Sequence, residues 1–274
     1  FLRDQLEMFR WIHRELGFYR FQEAVTLLSF DADFYNANKH RLLGPEGGWK
    51  ELNGRYQAHS RLIDACVGFD SKDRLKDIRC PSLIIHAGKD VVTAPRNTIP
   101  IEHGIPGARM LREGEILSVD CGAIVDGYYG DSAMTFPVGA VSDQARRLMD
   151  ATRRSLEAGI ARCVPGMRLH DVSAAVQAVA EGAGFSVVRE YVGHGIGRSM
   201  HEDPQVPNYG QAGTGPTLKV GMVIAIEPMI NAGRPDVRSL DDGWTVVTSD
   251  GSLSAHFEHT VAVTEEGPRI LTLE

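Results

Sequence analysis

The 274 residues contain no pair of cysteines at CxxC spacing. Cys66, Cys80, Cys121 and Cys163 are scattered, a pattern that in a chain of this length predicts reduced thiols in the cytoplasm and argues against a disulfide framework. No apolar run approaches the roughly 18 residues of a membrane span. Basic charge is not in excess: the net charge is −7, which argues against nucleic acid or an anionic membrane as the main partner. There is no G-x-S-x-G run, so a serine raised on a strand-to-helix elbow is not expected. The sequence begins at Phe1 with neither an initiator methionine nor a signal-peptide pattern, and we expect its numbering to start inside a longer product.

What is there is ordinary for a globular protein, with 43% hydrophobic and 24% charged residues, enough for one large domain or two modest ones. Two unlike pieces follow each other. Leu2, Leu6, Phe9, Ile12 and Leu16 recur at helical spacing and Gly17 follows as a stop. Phe21 to Phe30 and Tyr56 to Cys66 predict further helices, with a loop at Gly44–Gly48. His13, His40 and His59 have no ligand-like companion at i+3 or i+4, and we read them as surface or packing histidines. The stretch DRLKDIRCPSLIIHAGKDVVTAP then brings a short apolar strand ending in Gly and Asp, as parallel sheets do. It resembles the late core strand of an α/β-hydrolase, and the helices before it resemble that family's cap. The resemblance implies that Asp90 was the acid of a triad. Without nucleophile or base an acid performs no acyl transfer, and Asp90 is read as a structural leftover. The junction between the pieces falls within about residues 98–112, because His103–Arg109 (HGIPGAR) suits either side.

The second piece carries acidic residues in unusual places. Ile116–Phe136 reads as two strands joined at Asp126-Gly127, a signal for a two-residue type I′ hairpin. With Val125 opposite Tyr128, Asp120 falls opposite Ala133 and Asp131 opposite Gly122. The two aspartates are then diagonal neighbours on one face, with Cα atoms roughly 7–8 Å apart. Two amphipathic helices, Asp143–Gly159 and Leu169–Ala183, are separated by Pro165-Gly166. A strand, Phe185–Gly193, leads to His194, whose flanking glycines predict an exposed ring and a sharply turning backbone. His201 follows seven residues later in a proline-containing loop. Val220–Ile230 reads as a buried strand interrupted by Glu227-Pro228, which predicts an edge or a bulge. Ser252–Thr260 (SLSAHFEHT) alternates so that His256, Glu258 and Thr260 share one face. Each acid alone reads as a solvated or salt-bridged residue. Together they form an oxygen-rich set suited to Mn, Fe, Co or Zn in a two-metal site.

The strings DCGAIVDGYYGD, GHGIGRSMHEDP, IAIEPM and DGWTVVTSDGSLSAHFEHT resemble the type I methionine aminopeptidases over about residues 99–274. No insertion of the type II kind separates them, and DGWTVVT and SAHFEHT fit these enzymes better than the related proline dipeptidases. The resemblance implies an α+β pita-bread fold, an antiparallel sheet with flanking helices. It implies two divalent metal ions, Co, Mn, Fe or Zn, held by Asp120, Asp131, His194, Glu227 and Glu258. His103 matches the histidine near the substrate amine, and His201 the one that polarises the scissile carbonyl. Met200 and Trp244 match the wall of the methionine pocket. In that family's mechanism a metal-bridging hydroxide attacks the first peptide bond while Glu227 shuttles its proton. The implied partner is a peptide or nascent-protein N-terminus near the ribosome, met by a monomer or weak oligomer. The family's first helix pair, first strands and aromatic loop have no counterpart in these residues. The sequence therefore predicts a hydrolase-like segment, 1–98, before a metallopeptidase portion, 99–274. The competing readings are a hybrid without catalysis and a remnant serine-type hydrolase.

Overall fold

A computed structural model of the protein describes residues 2–29, 32–43, 56–80, 82–84, 95–241, 243 and 245–273. Contacts divide the chain into two compact units, Phe1–Leu111 and Arg112–Glu274, a boundary inside the window that the sequence leaves open.

The first unit is mainly helical: α1 (Leu2–Leu16), α2 (Phe18–Ser29), α3 (Ala32–Leu42) and α4 (Tyr56–Gly68). Gly17 ends α1 at φ +87°, where a side chain would be strained. Helix α3 is not anticipated by the periodicity, because its apolar residues line up on no single face. After a short 3₁₀ turn, β1 (Leu83–Ile84) pairs in parallel with β2 (Arg109–Met110), with α5 (Pro95–Gly104) between them in sequence. The parallel strand read from the sequence thus exists, over two residues. Asp90 and the Gly44–Gly48 loop lie outside the described residues.

The second unit opens with the hairpin β3 (Ile116–Val125) and β4 (Tyr128–Pro137). Its register is the expected one, with Asp120 opposite Ala133 and Gly122 opposite Asp131. Asp126 and Gly127 both have positive φ, +50° and +81°, as a type I′ turn requires. Helix α6 (Asp143–Ile160) is capped by the Ser142 hydroxyl, which accepts from Ala145 N at 3.2 Å. Helix α7 (Leu169–Gly182) follows it. Their apolar faces, with Leu148, Leu156, Val172 and Val176, merge into one core with Ile224, Ile226, Ile230, Phe257 and Val261. Each such fully buried side chain contributes about 1.5–3 kcal/mol of transfer free energy. Gly159 lets the helices close up, since a Cβ there would lie 2.8 Å from Val176 Cγ2.

Two antiparallel sheets carry the rest. Strands β5 (Ser186–Val187), β9 (Met229–Asn231) and β12 (Ser254–His256) form one, in the order β12-β9-β5. Strands β6 (Gly193–Gly195), β7 (Glu202–Val206), β8 (Val223–Ile226), β13 (His259–Thr264) and β14 (Gly267–Ile270) form the other, in the order β14-β13-β8-β6-β7. A smaller hairpin joins β10 (Val237–Ser239) to β11 (Val246–Thr248). The sequence predicts one strand over 185–193. Instead the chain leaves the three-stranded sheet after Val187, bends through exposed Arg189 and Glu190, and enters the five-stranded sheet at Gly193. The chain makes the same crossing at Glu227-Pro228 and at Phe257-Glu258. Pro228 is therefore at neither an edge nor a simple bulge. It lies where the chain passes from β8, an interior strand, to β9, and its missing N–H is lost at the seam where no ladder bond is needed.

Candidate metal centre

The seam between the two sheets collects the acidic residues. Ile226 pairs with His259 and Met229 with His256. The register is continuous across the break, so Glu227 stands opposite Glu258. Phe257 N, donating to Pro228 O at 3.3 Å, is the one ladder bond that bridges the gap. Strand β4 flanks the other side. Glu258 N donates to Ala133 O at 2.8 Å and Ala133 N donates to Glu258 O at 3.4 Å. The Thr260 hydroxyl accepts from Asp131 N at 2.9 Å and donates to Asp131 O at 2.8 Å. Asp120, Ala133, Glu258 and Glu227 therefore form one row across four neighbouring segments. Asp131 lies two residues along β4 from that row.

His194 enters from the far side of β8, where it pairs with Ala225. Its glycine neighbours are required by crowding and not by a turn. A Cβ on Gly193 would collide with Ala225 O, and one on Gly195 with Asp203 O. The ring is buried, 7% exposed, which corrects the expectation of an exposed one: strands packed on both sides enclose it. His194 Nδ1 lies 2.9 Å from Gly195 O. A carbonyl only accepts, so Nδ1 carries the proton and Nε2 presents a bare lone pair. That lone pair faces Glu227 Oε1 at 3.5 Å and Asp131 Oδ2 at 3.9 Å.

Electrostatics measure how badly these acids fit together without a cation. Burial first, then repulsion from Glu227, Asp131 and Asp120, pushes the Glu258 carboxyl up to about 9. Burial, then Asp120 and Asp131, pushes Glu227 up to about 8. Asp131 is raised as well, by burial and then by Asp120. Among the described residues the only basic groups paired with these acids are His194 and His256. Glu258 Oε1 is buried with no hydrogen-bond partner. Such an orphaned carboxylate oxygen is what a metal ligand looks like before the metal arrives. One ligand atom each from Asp131, His194 and Glu258 lie within 4.8 Å of one another, and so do those from Glu227, His256 and Glu258. Glu258 belongs to both groups. The donor set, carboxylates with imidazole, fits two divalent transition-metal ions.

A cavity of about 840 Å³ opens beside this row. Asp120, His194, His201, Glu227 and His256 line it together with apolar Val188, Tyr191, Met229, Val237 and Val246. The exposed His201 ring stands 4.3 Å, centroid to centroid, from that of His194. The Met200 side chain packs on Gly122, where a Cβ would lie 2.5 Å from Met200 Cε and 3.8 Å from Asp131 Oδ1. Met200 thus sits beside the acidic row and is not among the residues lining this cavity. Trp244 lies outside the described residues. His103 is exposed in the last turn of α5, in the first unit. His256 was not singled out in the sequence. The available signal was its place two residues before Glu258 on the same strand face.

The fold and this seam define a metallopeptidase: the profile of metallopeptidase family M24 matches residues 87–265, and the chain belongs to that family. Among similar proteins, methionine aminopeptidase 1 of Bacillus subtilis is 56% identical over 170 residues, which are 62% of this chain and 68% of that protein. The methionine aminopeptidase of Escherichia coli is 48% identical over 172 residues, 62% of this chain and 65% of that one. The crystal structure of a methionine aminopeptidase from Thermotoga maritima superposes with a TM-score of 0.59 at 52% identity, covering 60% of this chain and 66% of the other. The chain thus spans about two thirds of the length of these relatives. The α+β pita-bread architecture expected from the sequence is the fold of this family.

Proposed function

We propose that this protein is a metal-dependent aminopeptidase that removes the N-terminal methionine from peptides and nascent proteins. The observation that carries the reading is the Glu227–Glu258 pair, a half-buried and a buried carboxyl facing each other across a strand break and driven up to about 8 and about 9. Asp120, Asp131, His194, Glu227 and Glu258 would hold two divalent ions. When bound, the ions supply Lewis acidity and lower the pKa of coordinated water towards about 7. His201, on the cavity wall, is placed to donate to the scissile carbonyl oxygen as negative charge builds there. Glu227, which lines the cavity with His201, is placed to accept and return a proton. The roles of His103 at the substrate amine and of Met200 and Trp244 in methionine selection rest on the family resemblance.

The same reading places the protein in the cytoplasm, acting close to the ribosome as a monomer or weak oligomer. No helix among the described residues is long and apolar enough to cross a membrane. We also read residues 1–98 and 99–274 as distinct domains; the family match begins at residue 87 and the contact boundary follows Leu111, on either side of that junction. Retention of all five ligand-type side chains favours an enzyme over a non-catalytic hybrid. The test is release of free methionine from a Met-Ala-Ser peptide by the full chain. We expect release that stops on chelation and returns on adding Mn²⁺ or Co²⁺. Hydrolysis that survives chelation, or none with metal restored, would overturn the proposal.

A further inference from the structure

The Glu227 carboxylate is bracketed by two imidazoles. Its Oε1 lies 3.5 Å from His194 Nε2 and its Oε2 lies 3.8 Å from His256 Nε2. Its backbone is tied down separately, since Asn208 Nδ2 donates to Glu227 O at 2.9 Å. The orientation of the carboxylate plane is then the freedom that remains, because the terminal torsion of a glutamate is broad and nearly two-fold.

His256 is held to act on that freedom. The Thr135 hydroxyl accepts from His256 N and donates to His256 O, both at 2.8 Å. Strand β12 pairs His256 with Met229. This double anchoring points the ring to the Glu258 face and into the cavity. His256 Nε2 is buried and has no hydrogen-bond partner. Its nearest charged neighbour is a carboxylate oxygen, which favours the tautomer with the proton on Nε2. A nitrogen that carries a proton does not ligate a metal. His194 has the opposite tautomer, with its proton on Nδ1 and Nε2 bare. The two imidazoles therefore divide the work by tautomer.

We propose that His256 is a positioning residue: its Nε2–H holds the outer oxygen of Glu227, so that the inner oxygen stays turned towards His194 and the metal pair. The inference rests on the metal-site reading above. The 3.8 Å separation is longer than a hydrogen bond, and a shift of about 1 Å in the long Glu227 side chain closes it. Partners of this kind, which orient a ligating side chain without touching the metal, typically change metal affinity 10–100-fold when removed.

The test uses the full chain, stripped of metal and titrated with Mn²⁺ by calorimetry. His256→Leu is expected to weaken one of two binding events by about 10–100-fold while both still fill at saturation. His256→Gln, whose amide N–H can donate, is expected to recover most of that loss. Thermal unfolding of the metal-free forms should show both variants melting cooperatively, so that the change in affinity is read on folded protein. Unchanged affinities in His256→Leu would overturn the proposal. So would a permanently missing equivalent that His256→Gln does not restore, which would make His256 a ligand. An affinity loss that His256→Gln shares in full would also overturn it, by showing that the ring acts through packing and not through its donor. If the parent itself binds no Mn²⁺, the metal-site reading fails first and this inference falls with it.

Discussion

Each unit of the protein sets one buried histidine and one half-buried histidine in a shared setting, and the neighbours decide what the pair can do. In the first unit His13 Nδ1 lies 2.8 Å from His59 Nδ1. Around them stand rings: Phe21 is stacked on His13 at 5.3 Å, and Phe18 and Tyr56 meet it edge-on at 5.6 Å and 5.7 Å. Burial lowers the pKa of both histidines. Two neutral imidazoles share one hydrogen bond in an aromatic box, and the result is packing. In the second unit His194 and His256 face carboxylates that burial and mutual repulsion have raised. The same side chain becomes a candidate ligand in one place and a holder of a ligand in the other. A buried histidine is thus a weak sign of a metal, and a buried histidine among unpaired carboxylates is a strong one.

The largest expected effect separates the two pairs outright. Glu258→Ala removes the carboxylate common to both candidate ligand groups, and should abolish bound metal at one or both positions together with nearly all peptidase activity. His13→Ala should leave metal content untouched. Metal analysis of both purified variants checks this, and an unchanged stoichiometry in Glu258→Ala would remove the assignment.

A smaller effect distinguishes ligand from helper inside the second unit. His201→Ala should keep its metal and lose about 10²–10³ in turnover, as when one donor to a developing oxyanion is removed. His194→Ala should lose metal and activity together. Equal metal loss in the two variants would make His201 a ligand.

The two regions should also respond to pH with opposite sign. Glu227 and Glu258 have folded pKa values raised to about 8 and about 9 from 4.5. The metal-free second unit therefore binds more protons folded than unfolded, and its stability falls as pH rises from about 5 to about 9. His13 and His59 are lowered from 6.5. Their contribution is complete above that value and fades as pH drops below it. Thermal unfolding with chelator at pH 5.5, 7 and 8.5 reads both trends. Saturating Mn²⁺ should flatten the alkaline loss and leave the acid one. An alkaline loss that persists with metal bound would contradict the account of the seam. The smallest effect is none: Asp90→Ala should leave methionine release and metal content as in the parent, and a large loss would bring the first unit into the chemistry.

Local chemistry explains which parts of this were legible beforehand. The β3–β4 hairpin could be registered residue by residue, because Asp126-Gly127 admits a two-residue turn and period-two alternation then places Asp120 and Asp131. Helices α1, α6 and α7 announced themselves by apolar periodicity and by stop or cap residues. Helix α3 did not, since its polar and apolar residues are mixed around the axis. The apolar run 185–193 looked continuous because composition does not reveal where a strand changes sheets. The His194 ring was expected in the open, because glycine was read as a turn former, whereas here it makes room for neighbouring backbones.

By itself, then, the sequence determined the ligand-type residues, the hairpin face shared by two of them and the family resemblance, because these depend on residue identity and on short-range geometry. It could not determine that Glu227 and Glu258 stand opposite each other, since the 30 positions between them are bridged only by strand pairing. Nor could it give the physical reason that His194 and His256 differ. A histidine's tautomer is set by whichever carbonyl or carboxylate packs against it, and that neighbour is chosen by the tertiary fold.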